Sequence, residues 1–335
     1  MPFLSSSDST PTAVAADSSS DIADGAVPSS SAPSSSVSTS RLSEMWNYLW
    51  IPFLISLSRD IVPSKADSAI LLPSQLDHDS PPSTCPLPDQ KLYYRPVIGI
   101  LSHPGDGASG RLSNATGASY IAASYVKFVE SAGARVIPLI YNEPLEVLYQ
   151  KLELVNGVLF TGGWAKRGLY FEVAQKIFQR VLEKNDAGDH FPLYAICLGF
   201  EILSMAISKY GISPERFQEN SELSSFFNIL TTCTDEDDKV YVSTVQARRY
   251  PVTGFQWHPE KNAFEWGLTR IPHSEDAIQV TQHAANFLVS EARKSLNRPS
   301  PQKVLDNLIY NYSPTYCGKA GRGYDEVYIF TRSSM

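Results

Sequence analysis

The sequence lacks the residue patterns of metal and redox proteins. Its 335 residues include only four cysteines, none of them in a Cys-x-x-Cys pair, so neither a zinc ribbon nor a thioredoxin-like site is expected. No two of the six histidines have metal-ligand spacing. If the chain is secreted, Cys233 and Cys317 could pair, although nothing in the sequence supports that pairing. We therefore expect no metal and no cofactor.

Basic clusters and long apolar runs are also missing. The chain has 28 Lys and Arg against 35 Asp and Glu, a net charge of -7, which argues against nucleic acid as a partner. No apolar run reaches the about 20 residues that a membrane helix needs. We expect no nucleic-acid partner and no stable membrane span.

The first 94 residues differ from the rest in composition. Residues 1–44 are rich in serine and poor in large apolar residues, which predicts disorder; a transit peptide is the alternative, but four aspartates oppose it. Residues 45–66 contain an apolar run that resembles the core of a signal peptide, the alternative being a core helix that Pro52 interrupts. Residues 67–94 are interpreted as a linker or a processed propiece.

From residue 95 to 335 the pattern is that of one folded domain. Apolar runs at 96–101, 135–140, 157–160 and 193–196 alternate with helical patterns at 120–132, 145–154 and 168–183. This alternation predicts an α/β fold of three layers, with a mostly parallel central sheet between helices. A helix at 222–230, a strand at 239–245 and a helix at 276–295 follow, and the glycine-rich residues 103–119 are interpreted as a substrate-facing loop.

A candidate nucleophile lies at the junction of a strand and a helix. Residues 191–201 read FPLYAICLGFE, with Cys197 between the small residues Ala195 and Gly199. Such a tight turn lets a nucleophile project, and a helix N-terminus lowers the pKa of a thiol. The alternative is a buried core cysteine, since free cysteines are often buried.

A second stretch supplies the groups that a thiol nucleophile needs. Residues 250–260 end in His258-Pro259-Glu260 after an apolar strand pattern. A histidine can serve as the base for Cys197, and a carboxylate can orient that histidine. The turn at Gly162 and Gly163 follows another strand, where a backbone N–H can approach a reacting carbonyl; the alternative is an ordinary turn.

Several motifs together resemble the gamma-glutamyl hydrolases, a cysteine peptidase family with the class I glutamine amidotransferase-like fold. The motifs are SYIAASYVK at 119–127, ESAGARV at 130–136, CLGFE at 197–201 and FQWHPEK at 255–261. The resemblance runs from about residue 95 to the C-terminus and is nearest to the plant type.

The resemblance implies both a reaction and the residues that carry it out. It implies hydrolysis of γ-glutamyl bonds in folylpoly-γ-glutamate by a homodimer, with Cys197, His258 and Glu260 as the catalytic triad. It places the oxyanion hole at the Gly162–Gly163 turn and the amide of Leu198. It implies substrate contacts from four further residues: Tyr120, Gly199, Phe200 and Glu201. The alternatives are an amidotransferase glutaminase and a catalytically impaired isoform that still binds the substrate.

The sequence departs from the family after Ser208. Gamma-glutamyl hydrolases have a longer segment here, which supplies strands and a histidine beside the site, and this segment is missing. We therefore expect an open edge beside the site and exposed apolar surface.

If Met45 is the start used for secretion, residues 45–70 should direct a fused reporter into the secretory route, to the vacuole or the extracellular space. The physical reason is the apolar run at 46–57 followed by small residues up to Ala66. Microscopy of the fusion, with the unfused reporter as control, tests this expectation. A cytosolic fusion would contradict it.

Overall fold

The computed structural model describes residues 88–207, 217, 219–235, 237–318 and 323–331. The extension at 1–44, the signal-like segment at 45–66, most of the linker and the residues directly after the expected deletion lie outside these ranges. Residues 88–94, the described end of the linker, contain no helix or strand.

The described chain alternates strands and helices through its first half. In chain order the elements are β1 (Val97–Leu101), β2 (His103–Pro104), β3 (Ser119–Ala122), α1 (Ala123–Ser131), β4 (Arg135–Leu139), α2 (Leu145–Leu152), β5 (Gly157–Phe160), α3 (Leu169–Asp186), β6 (Leu193–Ile196) and α4 (Leu198–Ile207).

The second half begins with a hairpin and ends with helices and short strands. Its elements are α5 (Ser221–Phe226), β7 (Phe227–Thr234), β8 (Val240–Ala247), β9 (Val252–Phe255), α6 (Lys261–Phe264), α7 (Glu275–Arg293), α8 (Pro301–Asn307), a 3-10 turn (Ile309–Asn311), β10 (Thr315–Tyr316) and β11 (Glu326–Phe330).

A seven-stranded sheet forms the centre, in the order β4-β1-β5-β6-β9-β8-β7. The first five strands in this order run parallel, and β8 and β7 add an antiparallel hairpin at one edge. The carboxyl ends of parallel strands meet at one edge of a sheet, where ligands bind in open α/β folds. A ligand site is therefore expected at the carboxyl ends of the five parallel strands.

Side chains alternate along β1 between two cores. Val97 and Leu101 pack with α2, α3, α4 and α8 on one face, whereas Ile98 and Ile100 pack with α1 and α7 on the other. A sheet buried on both faces explains why its strands read as unbroken apolar runs. The three-layer α/β fold predicted from the sequence is confirmed.

Two of the expected helices begin or end in strands. The helix expected at 120–132 starts only at Ala123, because Ser119–Ala122 pairs with β11 and β2 in a second sheet of four strands. The helix expected at 222–230 ends at Phe226, and the β-branched residues that follow form β7.

The glycine-rich loop contains the spacing Gly-x-Gly-x-x-Gly at 105–110. A dinucleotide site needs that pattern to open a helix. Here the loop leads into β3 instead, so the glycines form turns, with positive φ at Gly105, Gly107 and Gly110.

The edge strand β7 is largely exposed. Its residues Leu230 and Cys233 face solvent, with Leu230 53% exposed. An uncharged, exposed edge strand is a site of unwanted strand pairing.

Gly199 sets how closely the start of α4 approaches β5. A Cβ at this position would lie 2.7 Å from the Phe160 carbonyl oxygen, a backbone atom that cannot move aside cheaply. A glycine at position 199 is therefore required by the packing of α4 against β5.

Gly199→Ala should lower the free energy of unfolding by about 1–3 kcal/mol, since overpacking forces backbone shifts. Urea denaturation followed by circular dichroism measures the change. Gly323→Ala is the control, because a Cβ there meets nothing within 4 Å. Equal stability of the two variants would contradict this account of Gly199.

Candidate active site

Cys197 lies on a strained turn between β6 and α4. Its φ of 54° is left-handed, a conformation that non-glycine residues rarely adopt. The Cys197 N–H donates to the carbonyl of Phe255 at 2.6 Å, and its own carbonyl accepts from Glu201 in the first turn of α4. Hydrogen bonds on both sides hold the strained residue, a pattern typical of functional sites.

His258 and Glu260 lie at the end of β9, the strand that neighbours β6. His258 Nδ1 and Glu260 Oε1 are 2.8 Å apart, and Glu260 is fully buried. His258 also hydrogen-bonds the thiol of Cys197. The structure thus brings together the three side chains that were predicted from the sequence to form a triad.

The charges in this group stabilise one another. Burial alone would lower the pKa of His258, but the negative charge of Glu260 and hydrogen bonds to Cys197 and Glu260 raise it to about 9. Burial alone would raise the pKa of Cys197, but the hydrogen bond and positive charge of His258, with the Leu198 N–H, lower it. The arrangement therefore stabilises the thiolate form of Cys197 beside a protonated His258.

Tyr125 in α1 connects this group to the glycine turn. Its buried hydroxyl accepts a hydrogen bond from the Gly162 N–H at 2.8 Å and lies 3.5 Å from His258 Nδ1. The amide of Gly162 is therefore occupied, which corrects the expectation that it serves an oxyanion hole. Tyr125 was missed because an aromatic residue in a helix pattern normally indicates core packing.

Gly163 fits the expected oxyanion role better. It is exposed, and its N–H has no hydrogen-bond partner within the part of the chain that the structure describes. The Leu198 N–H points at the sulfur of Cys197. The Gly163 amide is thus open to a developing oxyanion, and the Leu198 amide, which lies at the nucleophile, is the second donor expected there.

His103 holds the glycine turn through hydrogen bonds to backbone N–H groups. Its role was not identified from the sequence. Its Nδ1 bonds the Pro104 carbonyl at 2.9 Å, and its Nε2 accepts from the N–H groups of Trp164 and Ala165 at 3.0 and 3.1 Å. Burial lowers its pKa to about 4, so the ring is neutral. A Cβ at Gly163 would collide with this ring. The available signal in the sequence was a histidine two positions after the end of a buried strand.

Two of the four expected substrate contacts are corrected. Phe200 is fully buried in the core, where it packs against Phe227 and Gly254. Gly199 is buried against Phe160, so neither residue is open to the surface.

The other two expected contacts differ in their surroundings. Tyr120 is only 6% exposed and packs against His103 and Tyr324. Glu201 keeps a partly exposed carboxylate, which forms an ion pair with Lys166.

Two further cysteines, Cys233 and Cys317, lie in the described part of the chain, and both are free. Cys233 is exposed and Cys317 is buried, and neither forms a disulfide, so that pairing is wrong for this structure. Within the described ranges, no three His, Cys, Asp or Glu side chains cluster as a metal site would require. The helices that the structure describes include none long and apolar enough to cross a membrane.

A thiol, an imidazole and a carboxylate meeting at a strained strand-to-helix turn define a cysteine-dependent hydrolase. Consistent with that class, residues 96–210 match the Peptidase C26 family. The chain is 60% identical to gamma-glutamyl hydrolase 2 of Arabidopsis thaliana, covering 86% of this chain and 99% of that protein. It is 62% identical to gamma-glutamyl hydrolase 1 of the same plant, over 80% and 92% of the two chains.

These identities show that the chain belongs to the gamma-glutamyl hydrolase family. A glutamine amidotransferase of Thermotoga maritima is 15% identical, with a TM-score of 0.30 over 60% of this chain and 96% of that one.

The alignment also bears on the expected deletion. It spans 342 positions, more than the whole 335-residue chain, yet covers only 86% of that chain. The Arabidopsis relative therefore carries positions that this chain lacks. The Peptidase C26 match ends at residue 210, next to Ser208, where the sequence predicts the loss.

Glu260→Gln should slow alkylation of Cys197 by iodoacetamide at pH 7 several-fold, because a smaller fraction of the thiol is then ionised. Without the Glu260 charge, burial dominates and the pKa of His258 falls, so the thiolate loses its cationic partner. Mass spectrometry of the labelled peptide gives the rate.

Glu326→Gln is the matched control, because Glu326 forms a surface ion pair with Lys127. An unchanged rate in Glu260→Gln would show that the carboxylate does not set the charge of His258.

Proposed function

We propose that this chain hydrolyses γ-glutamyl bonds in folylpoly-γ-glutamates, with Cys197 as nucleophile. The observation that carries the proposal is the hydrogen-bonded series Cys197–His258–Glu260 on a left-handed elbow. Membership of the gamma-glutamyl hydrolase family supports the γ-linked bond as the target. The assignment of a folate group to the substrate is supported by the family resemblance alone.

In the first half of the reaction the thiolate of Cys197 attacks the γ-carbonyl carbon. The carbonyl oxygen becomes an oxyanion, which the N–H groups of Leu198 and Gly163 stabilise. His258, held protonated by Glu260, gives its proton to the leaving amine as the C–N bond breaks. A thioester on Cys197 and a free glutamate or glutamyl peptide result.

In the second half a water molecule attacks the thioester. Neutral His258 takes a proton from the water as the new C–O bond forms. The C–S bond then breaks, the carboxylic acid product leaves, and the thiolate–imidazolium pair is restored. No redox change occurs and no cofactor is consumed.

Cys197→Ser should reduce turnover of a pteroyl-γ-pentaglutamate by at least about a thousandfold, since a hydroxyl has far less anionic character than this thiol. Chromatography of the products measures the rate, and circular dichroism checks the fold. Cys233→Ser, at an exposed cysteine, is the control. Turnover at the original rate in Cys197→Ser would exclude Cys197 as nucleophile.

The chain should act more slowly than a relative that carries the additional positions. Catalysis depends on holding the carbonyl near the nucleophile, and a misplacement of about 1 Å can reduce the rate on the order of a hundredfold. Turnover of the same pentaglutamate by both proteins tests this prediction. Equal rates would show that the missing segment is dispensable. Protection of Cys197 from alkylation without turnover would instead identify a substrate-binding isoform.

We also propose that the protein follows the secretory route to the vacuole or the extracellular space and forms a homodimer. The first proposal is supported by the apolar run at 46–57 and by exposed Asn-x-Ser/Thr acceptors at Asn114 and Asn311. The second is supported by the family resemblance alone. Light scattering of the purified chain tests the dimer, and a monomer at micromolar concentration would contradict it.

A further inference from the structure

A surface cavity lies beside the glycine turn and is separate from the triad. Its volume is about 440 Å³, within the range of small-molecule sites. Its lining includes Pro104 after β1, Tyr141 after β4 and residues 164–167 after β5. These strands are parallel and adjacent in the order β4-β1-β5-β6, with Cys197 following β6. The cavity and the nucleophile therefore share the carboxyl edge of the sheet.

Trp164 in this cavity is both exposed and held in place. It is 70% exposed, although an indole normally contributes to a core. Its backbone N–H donates to His103 Nε2 at 3.0 Å, and its indole ring meets the His103 ring edge to face, with the ring centroids 5.4 Å apart. A preorganised aromatic surface can stack on a flat ligand with little loss of conformational entropy.

Two cations, Lys166 and Arg167, follow Trp164 after one intervening alanine. Lys166 pairs with Glu201, which lies one helical turn after Cys197, so the lining of the cavity contacts the helix that begins at the nucleophile. Arg167 is exposed and has no ion pair within the described part of the chain. An arginine guanidinium is well suited to bind a carboxylate in a bidentate manner.

We propose that this cavity is a subsite for the aromatic acyl-glutamyl portion of the substrate. Trp164 stacks on the aromatic group, and Arg167 pairs with an α-carboxylate of the γ-linked chain. Every γ-linked glutamate leaves its α-carboxylate free, so the ligand always offers this group. The subsite rests on the proposed function for its substrate class.

The test measures binding in the full chain carrying Cys197→Ala, which cannot turn over. Two probes are titrated by calorimetry: pteroyl-γ-triglutamate and tetra-γ-glutamate, which lacks the aromatic group. Trp164→Ala should weaken the pteroyl probe by about five- to tenfold and leave tetra-γ-glutamate unchanged. Arg167→Gln should weaken both probes, and the effect should shrink in 0.5 M salt, where charges are screened.

Trp266→Ala and Arg270→Gln are the matched controls, because both residues are exposed and neither lines the cavity. Equal affinity of Trp164→Ala and its parent for the pteroyl probe would overturn the aromatic contact. Unchanged binding of both probes by Arg167→Gln would overturn the carboxylate contact, and absence of binding by the parent would overturn the subsite as a whole.

Turnover is assayed separately with the unmodified chain on γ-glutamyl-glutamate, which has no aromatic group. Cleavage there with no effect of Trp164→Ala on binding would refute the subsite and leave the proposed function standing. Binding as expected with no cleavage of either γ-glutamyl-glutamate or pteroyl-γ-pentaglutamate would refute the hydrolase function and leave the subsite standing.

Discussion

The hydrogen bond between His258 and the buried carboxylate of Glu260 is the interaction on which the site depends. A fully buried carboxylate is strongly unfavourable unless a cation or donors compensate it. His258 supplies that compensation at 2.8 Å, and Glu260 in return keeps the imidazole protonated up to a pKa of about 9. The imidazolium then lowers the pKa of Cys197. The three side chains therefore behave as one electrostatic unit, and a change at Glu260 alters the pKa of the Cys197 thiol through His258.

This unit also links folding to pH. The pKa of His258 is raised from 6.5 to about 9, so its contribution to stability is complete below pH 6.5 and is lost as the pH rises through about 9.

The backbone positions the triad through adjacent strands: Cys197 follows β6, His258 follows β9, and the Cys197 N–H donates to the Phe255 carbonyl. Tyr125 and His103 hold the glycine turn against it from α1 and β2.

The features that could be predicted from the sequence are those that short local patterns determine. The apolar runs at 157–160 and 193–196 match β5 and β6 to the residue, because strands buried on both faces have no polar positions. Cys197, His258 and Glu260 were identified because a nucleophile, a base and its orienting group are short, specific motifs. Residues 119–122 were misassigned because their strand pairs with residues 327–330, about 200 positions away. Phe200 was misassigned because only the packed structure shows which face of α4 is buried, and His103 acts through backbone amides that no sequence pattern displays.

The charge state of Cys197 tests the central claim most directly. Thiolate absorbance at 240 nm should be titrated in the full chain and in Cys197→Ser, so that the difference isolates this thiol from the exposed Cys233. The account predicts thiolate absorbance that is lost on acidification with a midpoint below the ordinary value of 9.0. A difference signal that appears only above pH 9 would contradict the account.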